Sequence, residues 1–437
     1  MSNGIVIAIR VGTNFTNCAL EENSIEGHVW RGEPLDKSDL ADNTEIVTEE
    51  TPSIVVLSSE KFDHYFGYEA LKRIEKQKKG DLIFPEFVKN LFCSGYKVPE
   101  LLRAENGVPL SSADVMEKVI SYLFEQIQSN VEGSTCRQFV FTVPTMATDD
   151  AFLFLKHSIV NAGLSEDQVL IIPEAVSILQ YCKLHHNTYK SVSGKDVEAF
   201  SPGKRSVVLE CEDDHMTISV LELKDDGSLE MVYSNYEDVL VSCQVQEEFI
   251  NMFIKVFGKC VFDDFYSHCR SDYFNLFREF CGNMSKDLHG KEPLIITMPS
   301  SFSALVTDKT GKSIEQAIEQ TDIAQKMAYT SSKLKIAPEI FQSLFLEAAT
   351  NTVRLLRKGF QQSGLENIVN IILAGYFSKS TIIQDHIRMS FPSHHLIIPR
   401  DGNVAVAKGA VLYGQNPAKY MKARKMDLNE STGVSLC

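Results

Sequence analysis

The stretch Gln138–Leu184, QFVFTVPTMATDDAFLFLKHSIVNAGLSEDQVLIIPEAVSILQYCKL, decides the fold class. Its β-branched and aromatic run Phe139–Val143 predicts a strand, and Asp149–Ala162 predicts a helix that opens on acidic residues suited to a first turn. A second strand over Val169–Ile172 and a second helix over Glu174–Leu184 follow. Strands and helices that alternate in this way argue for an α/β lobe.

Working towards the amino terminus, Ser111–Asn130 carries apolar residues at helical spacing behind a Ser-Ser-Ala-Asp start that can cap it. Thr51–Leu57 reads as a strand, and so does Phe15–Leu20. Ile5–Ile9 is a short apolar strand that ends in the turn Arg10-Val11-Gly12-Thr13-Asn14. Towards the carboxyl terminus, His185–Arg205 is polar and reads as a loop and lobe boundary.

Ser206–Glu210 reopens the pattern, and Met216–Leu223 with Leu229–Ser234 forms a hairpin about Asp225-Asp226-Gly227. Helices over Ser242–Phe257 and Pro338–Phe360, strand Val369–Leu373, helix Ser380–Arg388, strand His395–Ile398 and helix Val404–Tyr413 complete the set. Each half opens with a strand, a turn and a hairpin, which suggests one βββαβα unit duplicated. The expected division is a lobe over 1–185, a boundary over 186–205, and a lobe over 206–418 with a helical insertion at about 242–365. The polar tail 419–437 is expected to be disordered, or the stub of a domain cut short.

With 437 residues, 44% of them hydrophobic and 23% charged, the chain is long enough for more than one packed unit. Its net charge of −15 is dispersed, and Lys and Arg form no stripe, so nucleic acid is not an expected partner. No apolar run approaches the roughly 20 residues of a membrane helix, and Met1-Ser2-Asn3-Gly4 does not open a signal peptide. These features favour a cytoplasmic protein without membrane contact. The ten cysteines form no CxxC pair and read as reduced structural thiols rather than metal ligands.

Phosphate is held by backbone N–H groups that approach it closely, which favours glycine turns after strands. Three turns are candidates: Arg10–Asn14, Glu210–His215 and Leu373–Ser380. Glu212-Asp213-Asp214-His215 also contains metal-ligand types, but the favoured reading is a solvated turn. His185-His186 and His394-His395 lack further ligands at useful spacing.

In order and context, these motifs resemble the DnaK-type heat-shock-70 chaperones, in particular the divergent branch called heat-shock-70 protein 12. Ile7–Thr13 resembles the first phosphate motif, and Phe66-Gly67-Tyr68-Glu69-Ala70 a family signature. Phe141-Thr142-Val143-Pro144 resembles the first connecting motif, and Ala162-Gly163-Leu164 with Ile172–Ser177 follows at the family's spacing. Leu373–Ser380 resembles the adenosine motif, and Val406–Gly414 the last connecting helix.

The resemblance implies an actin-like ATPase fold, two lobes around a cleft that binds MgATP. It assigns ATP or ADP to Arg10, Gly12, Thr13, Asn14, Glu210, Gly375 and Tyr376, with Glu210 as the Mg²⁺-linked carboxylate if the metal binds. The hydrolytic groups are replaced, however. Arg10 stands where the family has an acid that holds the metal's waters, and Ile172 where it has the glutamate that orients the attacking water. The family's glycine triplet and threonine align with Glu212-Asp213-Asp214-His215. A carboxylate about 4 Å from a phosphate oxygen is repelled by about 4 kcal/mol at an effective dielectric of about 20. Tyr376 replaces a glycine of the adenosine motif, no Lys/Arg pair to clasp adenine occurs near Phe280-Cys281-Gly282, and Lys89 is a weak match to the catalytic lysine.

Two roles for Arg10 stay open: donor to a phosphate, or ion-pair partner of Glu210 or Asp213. Glu174 lies about 200° around a helix from Ile172 and is read as a surface or first-turn residue. The favoured function is a degenerate, weakly binding or non-hydrolysing relative that acts as a chaperone-like scaffold for protein partners. The alternative is a working Mg²⁺-dependent ATPase rebuilt around Glu210 and Thr13, while a sugar or acetate kinase of the same superfamily fits less well. No peptide-binding domain is visible after Gly414-Gln415-Asn416-Pro417.

Overall fold

The computed structural model describes residues 5–13, 15–20, 28–30, 51–58, 63–76, 79–93, 97–130, 136–185, 188–190, 196–212, 215–237, 241–284, 292–362, 365–399, 402, 404–415 and 417. The tail 419–437, Asn14, Asp213, Asp214 and His186 lie outside them. The chain divides into two compact units, Met1–Val208 with Ser219–Asn235 and Pro399–Cys437, and Leu209–Ile218 with Tyr236–Ile398.

The first unit is built on a mixed sheet in the order Val169–Pro173, Cys136–Val143, Ile5–Val11, Phe15–Leu20, His28–Trp30, with Thr51–Pro52 also paired to Phe15–Leu20. Ile5–Val11 runs parallel to Cys136–Val143 and antiparallel to Phe15–Leu20. Both faces of this central strand are covered, which is why it is apolar on both. Ile7, Ile9 and Val11 join a core with Val115, Val119 and Leu155 from the helices Ser112–Asn130 and Asp149–Asn161. Val6, Ala8 and Arg10 point the other way, where the helix Val404–Gln415 sets Gly414 against Val6 and Val140. That helix crosses Glu174–His185 at Gly409, whose backbone touches that of Ser177.

The expected strand Thr51–Leu57 is two pieces. Pro52 has no N–H to continue the ladder, and Ile54 N–H turns back onto Pro52 O at 2.9 Å. Val55–Leu57 instead pairs with His64–Phe66 and Leu82–Phe84 in a separate antiparallel sheet. There His64 meets Tyr122 edge-on at 6.3 Å, and its Nε2 is buried without a hydrogen-bond partner among the described residues. Burial, then Lys118, holds the His64 pKa below its ordinary 6.5. On acidification through 6.5 the unfolded chain takes up a proton that the native chain refuses, so stability present above that pH is lost below it. Thermal unfolding at pH 7.5, 6.5 and 5.5 should show a falling midpoint, with a shallower fall in His64→Gln.

In the second half, a sheet runs in the order Leu229–Glu237, Met216–Leu223, Arg205–Cys211, Ile368–Ala374, His395–Ile397. Around the stacked rings of Phe249 and Phe280, 3.9 Å apart, the helices Val241–Phe257, Lys259–His268, Arg270–Met284 and Ser300–Thr310 pack an aromatic core. The span expected as a helical insertion also holds a three-stranded sheet, Leu294–Thr297, Lys333–Ile336 and Met327–Thr330. The helix expected over Pro338–Phe360 is two, Pro338–Leu344 and Leu346–Phe360, broken at Phe345. The expected loop 186–205 holds a short antiparallel pair, Thr188–Lys190 with Asp196–Glu198. Among the described residues no helix is long and apolar enough to cross a membrane.

Candidate functional site

Arg10 does not lie in the turn. It is inside the first strand, flanked in register by Asn17 and Thr142 on the neighbouring strands. Its guanidinium pairs bidentately with Glu174, Nε to Oε1 at 2.9 Å and the second nitrogen to Oε2 at 3.0 Å, both side chains being 4% exposed. Glu174 is thus in a helix first turn as expected, but it is buried and not on the surface. Ile172 lies in the strand Val169–Pro173 and Glu174 opens the helix that follows, so no helical rotation relates the two, and the start of that helix carries Glu174 to Arg10.

The same helix start is closed by a second group. Thr145, in the turn after strand Cys136–Val143, accepts a hydrogen bond from Ala175 N–H at 2.9 Å. A helix amino terminus that could receive an anion therefore has a carboxylate and a hydroxyl of the chain itself on it. Around the ion pair, Asn17 Oδ1 and Nδ2, Thr142 Oγ1 and, one turn beyond Glu174, Ser177 Oγ are buried with no hydrogen-bond partner among the described residues. Such groups cost about 1–3 kcal/mol each unless water meets them, so this seam is polar and able to hold ordered water.

Gly12 follows, with its N–H on Phe15 O at 3.2 Å. A Cβ there would lie 2.7 Å from that oxygen and 3.1 Å from Arg10 Cζ, so glycine is required by the turn and by the guanidinium beneath it. Thr13 is buried.

In the second unit Glu210 is buried on strand Arg205–Cys211. The turn expected to be solvated is buried at both ends, Glu212 being 9% and His215 4% exposed. Glu212 N–H donates to His215 O at 3.1 Å, and the His215 ring lies 5.9 Å from Tyr236. Gly375 has φ +85°, and a Cβ on it would fall 2.4 Å from Cys211 O, so the two strand ends meet backbone to backbone. Tyr376 opens the short turn Tyr376–Lys379. Phe280 is fully buried against Phe249. Burial pushes the Cys182 and Cys211 thiols up, which makes both poor nucleophiles. Among the described residues no group of three or more His, Cys, Asp and Glu could hold a metal.

Asn17, Thr142, Thr145 and Glu174 were not legible as site residues. The available signal was an arginine out of place in the apolar run Ile5–Val11, with the polar Asn17 and Thr142 on the strands beside it.

No family model matches the chain. It is similar to heat shock 70 kDa protein 12A of Homo sapiens and of Mus musculus, each 24% identical over 452 residues that cover 89% of this chain. Heat shock 70 kDa protein 12B of Homo sapiens is 22% identical over 454 residues. The chain spans 66% of the length of each of these relatives. Similarity along 89% of the chain, together with its mixed α/β architecture, makes it a divergent relative of the heat-shock-70 proteins.

Proposed function

We propose that this chain is a heat-shock-70-like nucleotide-binding protein that binds ATP or ADP weakly, does not hydrolyse it, and serves as a chaperone-like scaffold for protein partners in the cytoplasm. The relationship carries nucleotide binding in general. The observation that carries the loss of hydrolysis is the buried Arg10–Glu174 pair. A cation occupies the place of the family's first acid, and a carboxylate inside the protein already neutralises it. Phosphoryl transfer depends on positioning and on charge stabilisation, and with Ile172 also in place of the water-orienting glutamate, two such groups are gone together.

The duplicated two-lobed fold is part of the same reading. Its support is that both large sheets place three sequence-consecutive strands in reverse order and then two later ones. Gly12, Thr13, Asn14, Glu210, Gly375 and Tyr376 are the groups proposed to meet the nucleotide, and Glu210 is the one carboxylate among them for Mg²⁺.

Calorimetric titration with ATP and ADP, with Mg²⁺ and then with EDTA, tests this reading when followed by phosphate release at saturating ATP. The expected result is weak binding, little changed by EDTA, and no phosphate release above the uncatalysed rate. Mg²⁺-dependent turnover would overturn it and point to a site rebuilt around Glu210 and Thr13.

A further inference from the structure

The helices Leu346–Phe360 and Thr381–Ser390 enclose an open groove of about 630 Å³ in the second unit. One wall is a single helical stripe that runs from Thr350 through Arg354 and Arg357 to Gln361, and the other presents His386 and Ser390. Eleven helical rises make the wall about 16 Å long. The Phe360 and Phe391 rings meet at 5.1 Å at the carboxyl ends of both helices.

Three cations of one helix face this groove on a chain whose net charge is −15. Two are already engaged: Glu237 accepts from Arg354 at 3.2 Å and from Lys358 at 2.8 Å. Arg357 is exposed, and among the described residues neither its guanidinium nor the His386 ring has a hydrogen-bond or ion-pair partner. A guanidinium fork left open in a concavity is suited to a carboxylate.

The flanks are apolar. Leu346, one turn before Thr350, is 55% exposed, and Met389, three residues on from His386, is 70% exposed. The groove floor includes the buried Val353. Arginine and methionine around a central apolar contact are the composition of a protein interface, and a site for a bare anion would have no use for the two exposed apolar side chains.

We propose that this groove docks an acidic amphipathic segment of a protein partner, with a carboxylate on Arg357 and apolar side chains against Met389 and Leu346. The site lies within one unit and needs no nucleotide, so the proposal stands or falls apart from the ATP reading.

A short labelled helical peptide with glutamates and leucines at i, i+4 spacing, titrated into the full chain without nucleotide and followed by fluorescence anisotropy, tests it. A peptide with lysines for glutamates is the control. The expected result is saturable binding of the acidic peptide alone, weakened about tenfold by Arg357→Glu, several-fold by Met389→Ser, and further by salt. Both residues are exposed, and unchanged melting of the variants would show that the fold is kept. No saturable binding, or equal binding by Arg357→Glu, would overturn the proposal. Displacement of the peptide by pyrophosphate, with Met389→Ser binding like the parent, would also overturn it by making the groove a small-anion site.

Discussion

Replacing Arg10 by alanine should lower the free energy of unfolding by about 3–5 kcal/mol, because it leaves the Glu174 carboxylate buried without its cation. That is a large share of the stability of an ordinary domain. Glu174→Ala should cost a similar amount, since the charge then stranded is the guanidinium. Replacing both together, as Arg10→Met with Glu174→Leu, should recover most of the loss, because desolvation of both ions is then removed along with their attraction. Urea unfolding of the parent, Arg10→Met, Glu174→Leu and the variant that combines these two closes a double-mutant cycle that measures the coupling. A loss below about 1 kcal/mol in Arg10→Ala would show that the pair is not integral to the fold, and Arg10 would regain its other role as a phosphate donor.

The second large effect is expected at Gly409. In a helix interior, glycine to alanine ordinarily gains about 1 kcal/mol from backbone entropy. At this position a Cβ would stand 1.9 Å from Ser177 O and 2.6 Å from its carbonyl carbon, both backbone atoms of the crossing helix. No rotamer relieves a contact between a Cβ and a backbone, so the helices must separate. The core of the first unit would then be under-packed along Val404–Gln415 and Glu174–His185. A net loss of about 3 kcal/mol or more is expected for Gly409→Ala, and Gly409→Val should fail to accumulate as folded protein. Circular dichroism melts of Gly409→Ala beside the parent protein measure the loss.

The two results bear on function differently. Loss of stability in Arg10→Ala supports a cation locked into the fold, as the non-hydrolysing reading requires. The Gly409 variants test only the packing that brings the helix of Glu174 onto the sheet of Arg10. The peptide titration at Arg357 concerns a surface of the other unit.

Much of the architecture was legible because its signals are local. The strand Cys136–Val143 and the helix Asp149–Asn161 follow from β-branched runs and helical spacing. The hairpin of Met216–Leu223 with Leu229–Glu237 follows from Asp225-Asp226-Gly227, where Gly227 takes φ +79° and Asp226 accepts from Ser228 N–H at 3.0 Å. Breaks were less legible. Pro52 divides one expected strand and Phe345 one expected helix, because a short apolar run does not show which neighbour each piece will pair with. The small sheet within 294–336 was missed for the same reason, as its strands are four residues each.

The amino-acid sequence by itself determined that the chain is mixed α/β and that its motifs resemble, in their order, those of the heat-shock-70 proteins. Only the tertiary structure decided what Arg10 does. The two carboxylates considered from sequence, Glu210 and Asp213, were chosen by likeness to a family site, whereas its ion-pair partner is 164 residues away on a helix whose first turn is brought over the sheet. Periodicity fixes which way a side chain leaves its own strand or helix, but the partner of a buried charge is set by the packing of elements far apart in the chain. The same holds for the open guanidinium of Arg357: its helix is plain from spacing, and the groove exists only once Thr381–Ser390 lies beside it.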